Sequence, residues 1–79
     1  MVNVLIRSML EKYSRKLREN GVQAEPRGEA EIIFPVAQTR FAYATVDELE
    51  KTAKLRHLQV RKYIEMYRGV EVQVLELAP

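Results

Sequence analysis

Apolar residues recur at helical spacing near the start of the chain. Val2, Leu5, Ile6, Met9, Leu10, Tyr13 and Leu17 follow an i, i+3, i+4, i+7 pattern, which predicts an amphipathic helix over 2–20. Gly21 follows its last turn, where a residue free to adopt a left-handed backbone is favoured. Val22 to Pro26 reads as a short strand, with Pro26 and Gly28 marking a turn around Arg27. The pattern then changes to period two. Over Ala30 to Val36, Ile32, Phe34 and Val36 share one face and Ile33 covers the other. Pro35 there demands an edge, a bulge or a strand end. After a tight connection at Ala37–Thr39, Arg40 to Ala44 reads as a third strand, with Phe41 and Tyr43 on one face.

A second helix is expected from Thr45 to Arg68. Thr45 and Glu48 have capping-box spacing at its start, and Gly69 closes it. Val46, Leu49, Ala53, Val60, Ile64 and Tyr67 fall within roughly 60° on a helical wheel and form its core stripe. Val70 to Leu77 is the last strand. Val70, Val72 and Val74 alternate with Glu71 and Gln73, and Leu75 and Leu77 put bulk on the other face. The expected fold is α/β in the order helix, three strands, helix, strand. A right-handed crossover would make strands 40–44 and 70–77 parallel neighbours, giving a mixed four-stranded sheet packed by two helices. Residues 1–79 form a single domain on this reading.

Leu55, Leu58 and Met66 lie off the core stripe of the second helix and suggest a second buried surface. Small domains usually need a staple. The chain has no cysteine, and its single histidine, His57, cannot make a histidine zinc site alone. A homo-oligomer built on Leu55, Leu58 and Met66 is the staple left. No stretch approaches the roughly 20 apolar residues of a membrane span. No secretory signal is recognisable either, so a cytoplasmic location without membrane association is expected.

The net charge of +2 is too small to imply a nucleic-acid partner, but its distribution is uneven. The first helix carries five basic residues against two acidic ones, while the strand regions are acidic. Arg7, Arg15 and Arg18 on its polar side could contact phosphates, weakly and without sequence preference. Catalytic groupings are sparse. Ser8 and Ser14, expected on the polar side of the first helix, are far in sequence from His57. The three glycines are scattered and build no phosphate loop. Glu29, Glu31, Glu71 and Glu76 read as the solvated faces of strands.

One pattern bears on chemistry. Glu11 stands on the first helix, Ala30-Glu31-Ile32-Ile33 opens the second strand, and Phe41-Ala42-Tyr43-Ala44-Thr45 occupies the third. In element order the chain resembles the minimal core of restriction-endonuclease-like proteins, including archaeal Holliday junction resolvases. The resemblance implies a glutamate on the first helix, for which Glu11 is the matching candidate, an aspartate where Glu31 stands, and a glutamate and lysine two residues apart where Ala42 and Ala44 stand. With those two groups missing, a divalent cation would be held poorly, so no metal, cofactor or catalysis is expected. The leading expectation is a non-catalytic, small oligomeric binding or scaffold protein. The alternative is a nucleic-acid-binding module related to nucleases, using its basic helix on phosphates.

Overall fold

The computed structural model describes residues 3–79. Its first element is helix α1 (Val4–Glu19). Asn3 caps it, its side-chain oxygen accepting from the Ile6 amide at 3.1 Å. Val2, assigned to this helix from sequence, lies outside the described residues. At the other end the Gly21 amide donates to the Arg18 carbonyl and the Val22 amide to the Leu17 carbonyl, both at 3.0 Å. That is a Schellman motif, and Gly21 takes the left-handed φ of 82° that it requires. Ile6, Met9, Leu10, Tyr13 and Leu17 are buried along one stripe. Each aliphatic side chain among them is worth about 1.5–3 kcal/mol of burial.

Strands β1 (Glu25–Arg27) and β2 (Glu31–Pro35) follow, then a 3-10 segment (Val36–Phe41), helix α2 (Tyr43–Leu55), and strands β3 (Gln59–Tyr67) and β4 (Val70–Ala78). The sheet order is β1-β2-β4-β3. The α/β class, two helices and four-stranded sheet stand as expected from sequence. The connectivity does not: the order is helix, two strands, helix, two strands, and every pairing is antiparallel rather than mixed. Among the described residues no helix is long and apolar enough to cross a membrane.

Two local substitutions of structure account for the difference. Residues 40–44 are not a strand. Pro35 ends β2, the chain tightens into the 3-10 segment, and Ala42, with φ −104° and ψ −11°, carries it directly into α2. Thr45 therefore does not cap a helix; its hydroxyl is buried and accepts from the Asn20 side chain at 3.2 Å. The second helix also stops at Leu55 instead of Arg68. His57 adopts φ 61°, its amide donates to the Lys54 carbonyl at 3.1 Å, and the Leu58 amide donates to the Ala53 carbonyl at 2.8 Å. This is a second Schellman motif, with histidine where glycine is usual. Leu58 folds back onto the core, and the following residues satisfy their backbone by pairing with β4 over nine positions. Arg68 (φ 52°) and Gly69 (φ 79°) make the two-residue turn of that hairpin, a geometry set by left-handed residues at both positions.

The two faces of the sheet differ. Ile32, Phe34, Leu75 and Leu77 point to the helices and join Leu10, Tyr13, Leu17, Leu49 and Ala53 in the main core. Ile33, Val72 and Val74 point the other way. They are 2%, 5% and 0% exposed, yet Tyr67 is the partly buried apolar residue packed on them. Ser14, expected on the polar side of α1, is instead fully buried.

Candidate functional site

Arg27 explains how the second face is closed. It stands on β1, one edge of the sheet, and Glu65 stands on β3, the other edge. In a flat sheet those strands would be roughly 14 Å apart. The guanidinium nonetheless reaches both carboxylate oxygens of Glu65, at 2.5 and 3.2 Å, and Glu31 at 2.8 Å. Strand twist draws the two corners together over Ile33, Val72 and Val74. The Arg27 guanidinium also lies 5.2 Å from the Tyr67 ring centre, and the Tyr63 hydroxyl donates to Glu31 at 2.9 Å. The hydrogen bonds from Arg27 lower the Glu65 pKa, and those to Glu65 and Glu31 raise that of Arg27. The hydrogen bond to Glu31 raises the Tyr63 pKa.

The helix-covered face has an opening. Helix α2 crosses it so that Lys62 on β3 bonds Glu50 at 2.7 Å, but beyond that contact the sheet is only partly covered. A groove of about 480 Å³ results. Phe34 and Leu75 line it from the sheet, Ala42, Tyr43 and Val46 from the start of α2, and Ile64 from β3. Tyr43 is 69% exposed and Ile64 55%, and Phe41 and Met66 are exposed as well. The groove adjoins the outer edge of β3. Among the described residues that edge has no strand partner along its nine residues. The opposite edge is guarded: β1 has three residues, one of them Pro26.

The residues singled out from sequence are dispersed. Arg7 lies 3.9 Å from Glu11, Arg18 donates to the Ala24 carbonyl at 3.0 Å, and Arg15 is exposed. Two of the three arginines are therefore engaged within the chain. Leu55, Leu58 and Met66 do not share a helix face. Leu55 is 80% exposed on the last turn of α2, Leu58 packs on the main core, and Met66 is exposed on β3. The helix expected to carry all three ends at Leu55. Glu31 is on the sheet face away from the helices, bound to Arg27 and Tyr63, whereas Ala42 is buried in the helix-side core. His57 is exposed at the end of α2. Among the described residues no three His, Cys, Asp or Glu side chains are placed to hold a metal ion.

Sequence reasoning missed Tyr43 and Ile64 as groove residues and Arg27 and Glu65 as partners. The period-two pattern of Val60, Lys62, Ile64 and Met66 was the available signal for the first two. Comparison of the chain with protein families, characterised proteins and solved structures finds no match.

Proposed function

We propose that this chain is a non-catalytic binding module that assembles with polypeptide through the β3 edge and the groove beside it. The observation that carries this reading is an unpaired nine-residue strand that bears exposed Ile64 and Met66 beside a groove where exposed Tyr43 meets Ile64. Contiguous exposed apolar surface of this kind marks interaction sites, and a free strand edge offers main-chain hydrogen bonds to a partner. The polar groups nearest to chemistry support the same reading. Glu31 and Glu65 are tied to Arg27, and Glu48 to Lys16 at 2.7 Å. The pKa of Glu65 and that of Glu48 are lowered by these bonds, the opposite of what a general acid at neutral pH requires.

Light scattering over a wide concentration range tests the proposal. Mass should rise above that of the monomer, and Tyr43→Asp should weaken the rise. A protein that stays monomeric up to millimolar concentration would sink it. Repeating the measurement with duplex DNA at two salt concentrations separates the phosphate-binding alternative. Retention that falls steeply with salt and disappears in Arg15→Glu would assign α1 to that role instead.

A further inference from the structure

We infer that the occupant of the β3 edge is the β3 strand of a second copy, paired antiparallel about a twofold axis at Tyr63, so that two sheets become one of eight strands. The inference rests on the reading of β3 and its groove as an assembly surface and names the partner and the register.

The direction of the free backbone groups follows from the hairpin. A two-residue turn of this type closes on a hydrogen-bonded pair, here Tyr67 and Val70. Hydrogen-bonded pairs then alternate along the ladder. Tyr67, Glu65, Tyr63 and Arg61 turn their amides and carbonyls toward β4, where they face Val70, Val72, Val74 and Glu76. Val60, Lys62, Ile64 and Met66 turn theirs outward. The pairing with β4 runs without a bulge, and β3 contains no proline. Two of the usual devices that twist or block an edge, the bulge and the proline, are therefore absent from its described length.

The charges on this edge would normally discourage pairing, but their order is self-complementary. Tyr63 is the middle residue of β3. Pairing about it sets Arg61, which lies 3.4 Å from Glu76 of its own chain, opposite Glu65 of the second copy, whose carboxylate Arg27 already holds, and does so twice. Val60 meets Met66, Lys62 meets Ile64, and Tyr63 meets its own copy. Opposite charges, apolar pairs and aromatic pairs directly across strands are each favourable. Each of the four outward residues finds a partner, giving about eight main-chain hydrogen bonds. Pairing about Lys62 would oppose two lysines, and pairing about Ile64 would push Val60 past the end of the partner strand. A closed twofold contact uses the β3 edge twice and leaves only the short, proline-bearing β1 edges at the ends of the joined sheet. It also brings the second copy's Lys62 across from Ile64, at the mouth of the groove, so each groove is completed by the other protomer.

Four variants and the wild type decide the matter. Wild type should be a dimer by light scattering. Ile64→Pro removes an outward amide hydrogen while leaving the β4 side of the ladder intact, and should be a folded monomer by circular dichroism. Arg61→Glu opposes like charges twice and should raise the dimer dissociation constant by at least about tenfold; it serves should the proline variant fail to fold. The chain has no cysteine, so an introduced thiol is unique. Tyr63→Cys should form a disulfide-linked dimer under mild oxidation, because residues facing each other across a non-hydrogen-bonded pair are about 4.5 Å apart at Cα. Arg61→Cys should not, its own copy lying four residues away along the strand. A wild-type dimer whose Arg61→Glu variant dimerises equally well, or which links as readily through Arg61→Cys as through Tyr63→Cys, overturns the register while leaving assembly through another surface. A wild-type monomer overturns both this inference and the reading beneath it.

Discussion

Arg27 and Glu65 sit on opposite edge strands of a four-stranded sheet and meet as a forked ion pair at 2.5 and 3.2 Å. Their contact measures how far the sheet coils. It also replaces a missing layer, because among the described residues no helix lies on that face and Ile33, Val72 and Val74 are nevertheless buried. A planar guanidinium suits this place, since it bonds two carboxylates in its plane and lays that plane over Tyr67.

Ile33 should therefore behave as a core residue although it faces away from both helices. Ile33→Ala is expected to lose about 2–5 kcal/mol of stability. Arg27→Lys, which keeps the charge but not the fork, should lower the denaturation midpoint, and Arg27→Met should lower it further by leaving Glu31 and Glu65 without their partner. Urea unfolding measures all three. A loss below about 1 kcal/mol for Ile33→Ala would mean that the face is wet in solution and the clamp open.

Stability should depend on pH in two windows. The Glu65 and Glu48 carboxyls have lowered pKa values, held by Arg27 and Lys16 respectively. Their contribution is present above the ordinary glutamate value of about 4.3 and is lost as pH falls below it through the depressed folded-state values. Tyr63 titrates in the opposite sense. Its raised pKa, caused chiefly by its bond to Glu31, makes its contribution complete below about pH 10 and lost as pH rises beyond that. Thermal melts across pH should fall at both ends. The acid arm should shrink in Glu65→Gln, and an unchanged acid arm in that variant would refute the assignment.

Ser14 is fully buried on α1, and its hydroxyl has no hydrogen-bond partner among the described residues. An unpaired buried hydroxyl costs about 1–3 kcal/mol of desolvation. Ser14→Ala should thus gain about 1 kcal/mol, read as a rise in urea midpoint at constant slope. Destabilisation by the same change would point to a partner for the hydroxyl, such as bound water.

His57 ends α2 in a left-handed conformation that costs a residue with a Cβ about 1–2 kcal/mol. Glycine removes that cost but loosens the unfolded chain, so His57→Gly should gain about 0.5 kcal/mol net. Alanine at the same position keeps the strain and should gain nothing. Equal midpoints for the two variants would show that the backbone there is unstrained.

What the sequence disclosed was whatever is fixed by local periodicity and by glycine. Helix α1 with Gly21, the alternation of Ile32, Ile33 and Phe34, and the run from Val70 to Leu77 could all be read without knowing their neighbours. The errors fall where two periods coincide or a boundary lacks its usual residue. Val60, Ile64 and Tyr67 fit a helical stripe, yet Val60, Lys62, Ile64 and Met66 fit a strand equally well. The signal that separates the two, a helix stop at 57, was hidden by histidine in glycine's place. At the other end Ala42 enters α2 with no side-chain cap to announce it. The groove and the Arg27–Glu65 pair depend on how α2 crosses the sheet and how the sheet coils, and no spacing along one chain encodes either.

The β3–β4 hairpin has a consequence for the order in which the molecule assembles. Its nine pairs close on a two-residue turn, so they form at little loop-closure cost, whereas β2 must wait for the whole stretch from Val36 to Glu71 to fold back before Pro35 meets Val72. Local pairings of this kind form within microseconds, and distant ones limit the rate. Gly69→Ala, which strains the turn at φ 79°, should therefore slow refolding, whereas Arg27→Met, which removes a bond between the last corners to meet, should mainly hasten unfolding. Stopped-flow arms that shift the other way round would place the closing of the sheet's corners ahead of its hairpin.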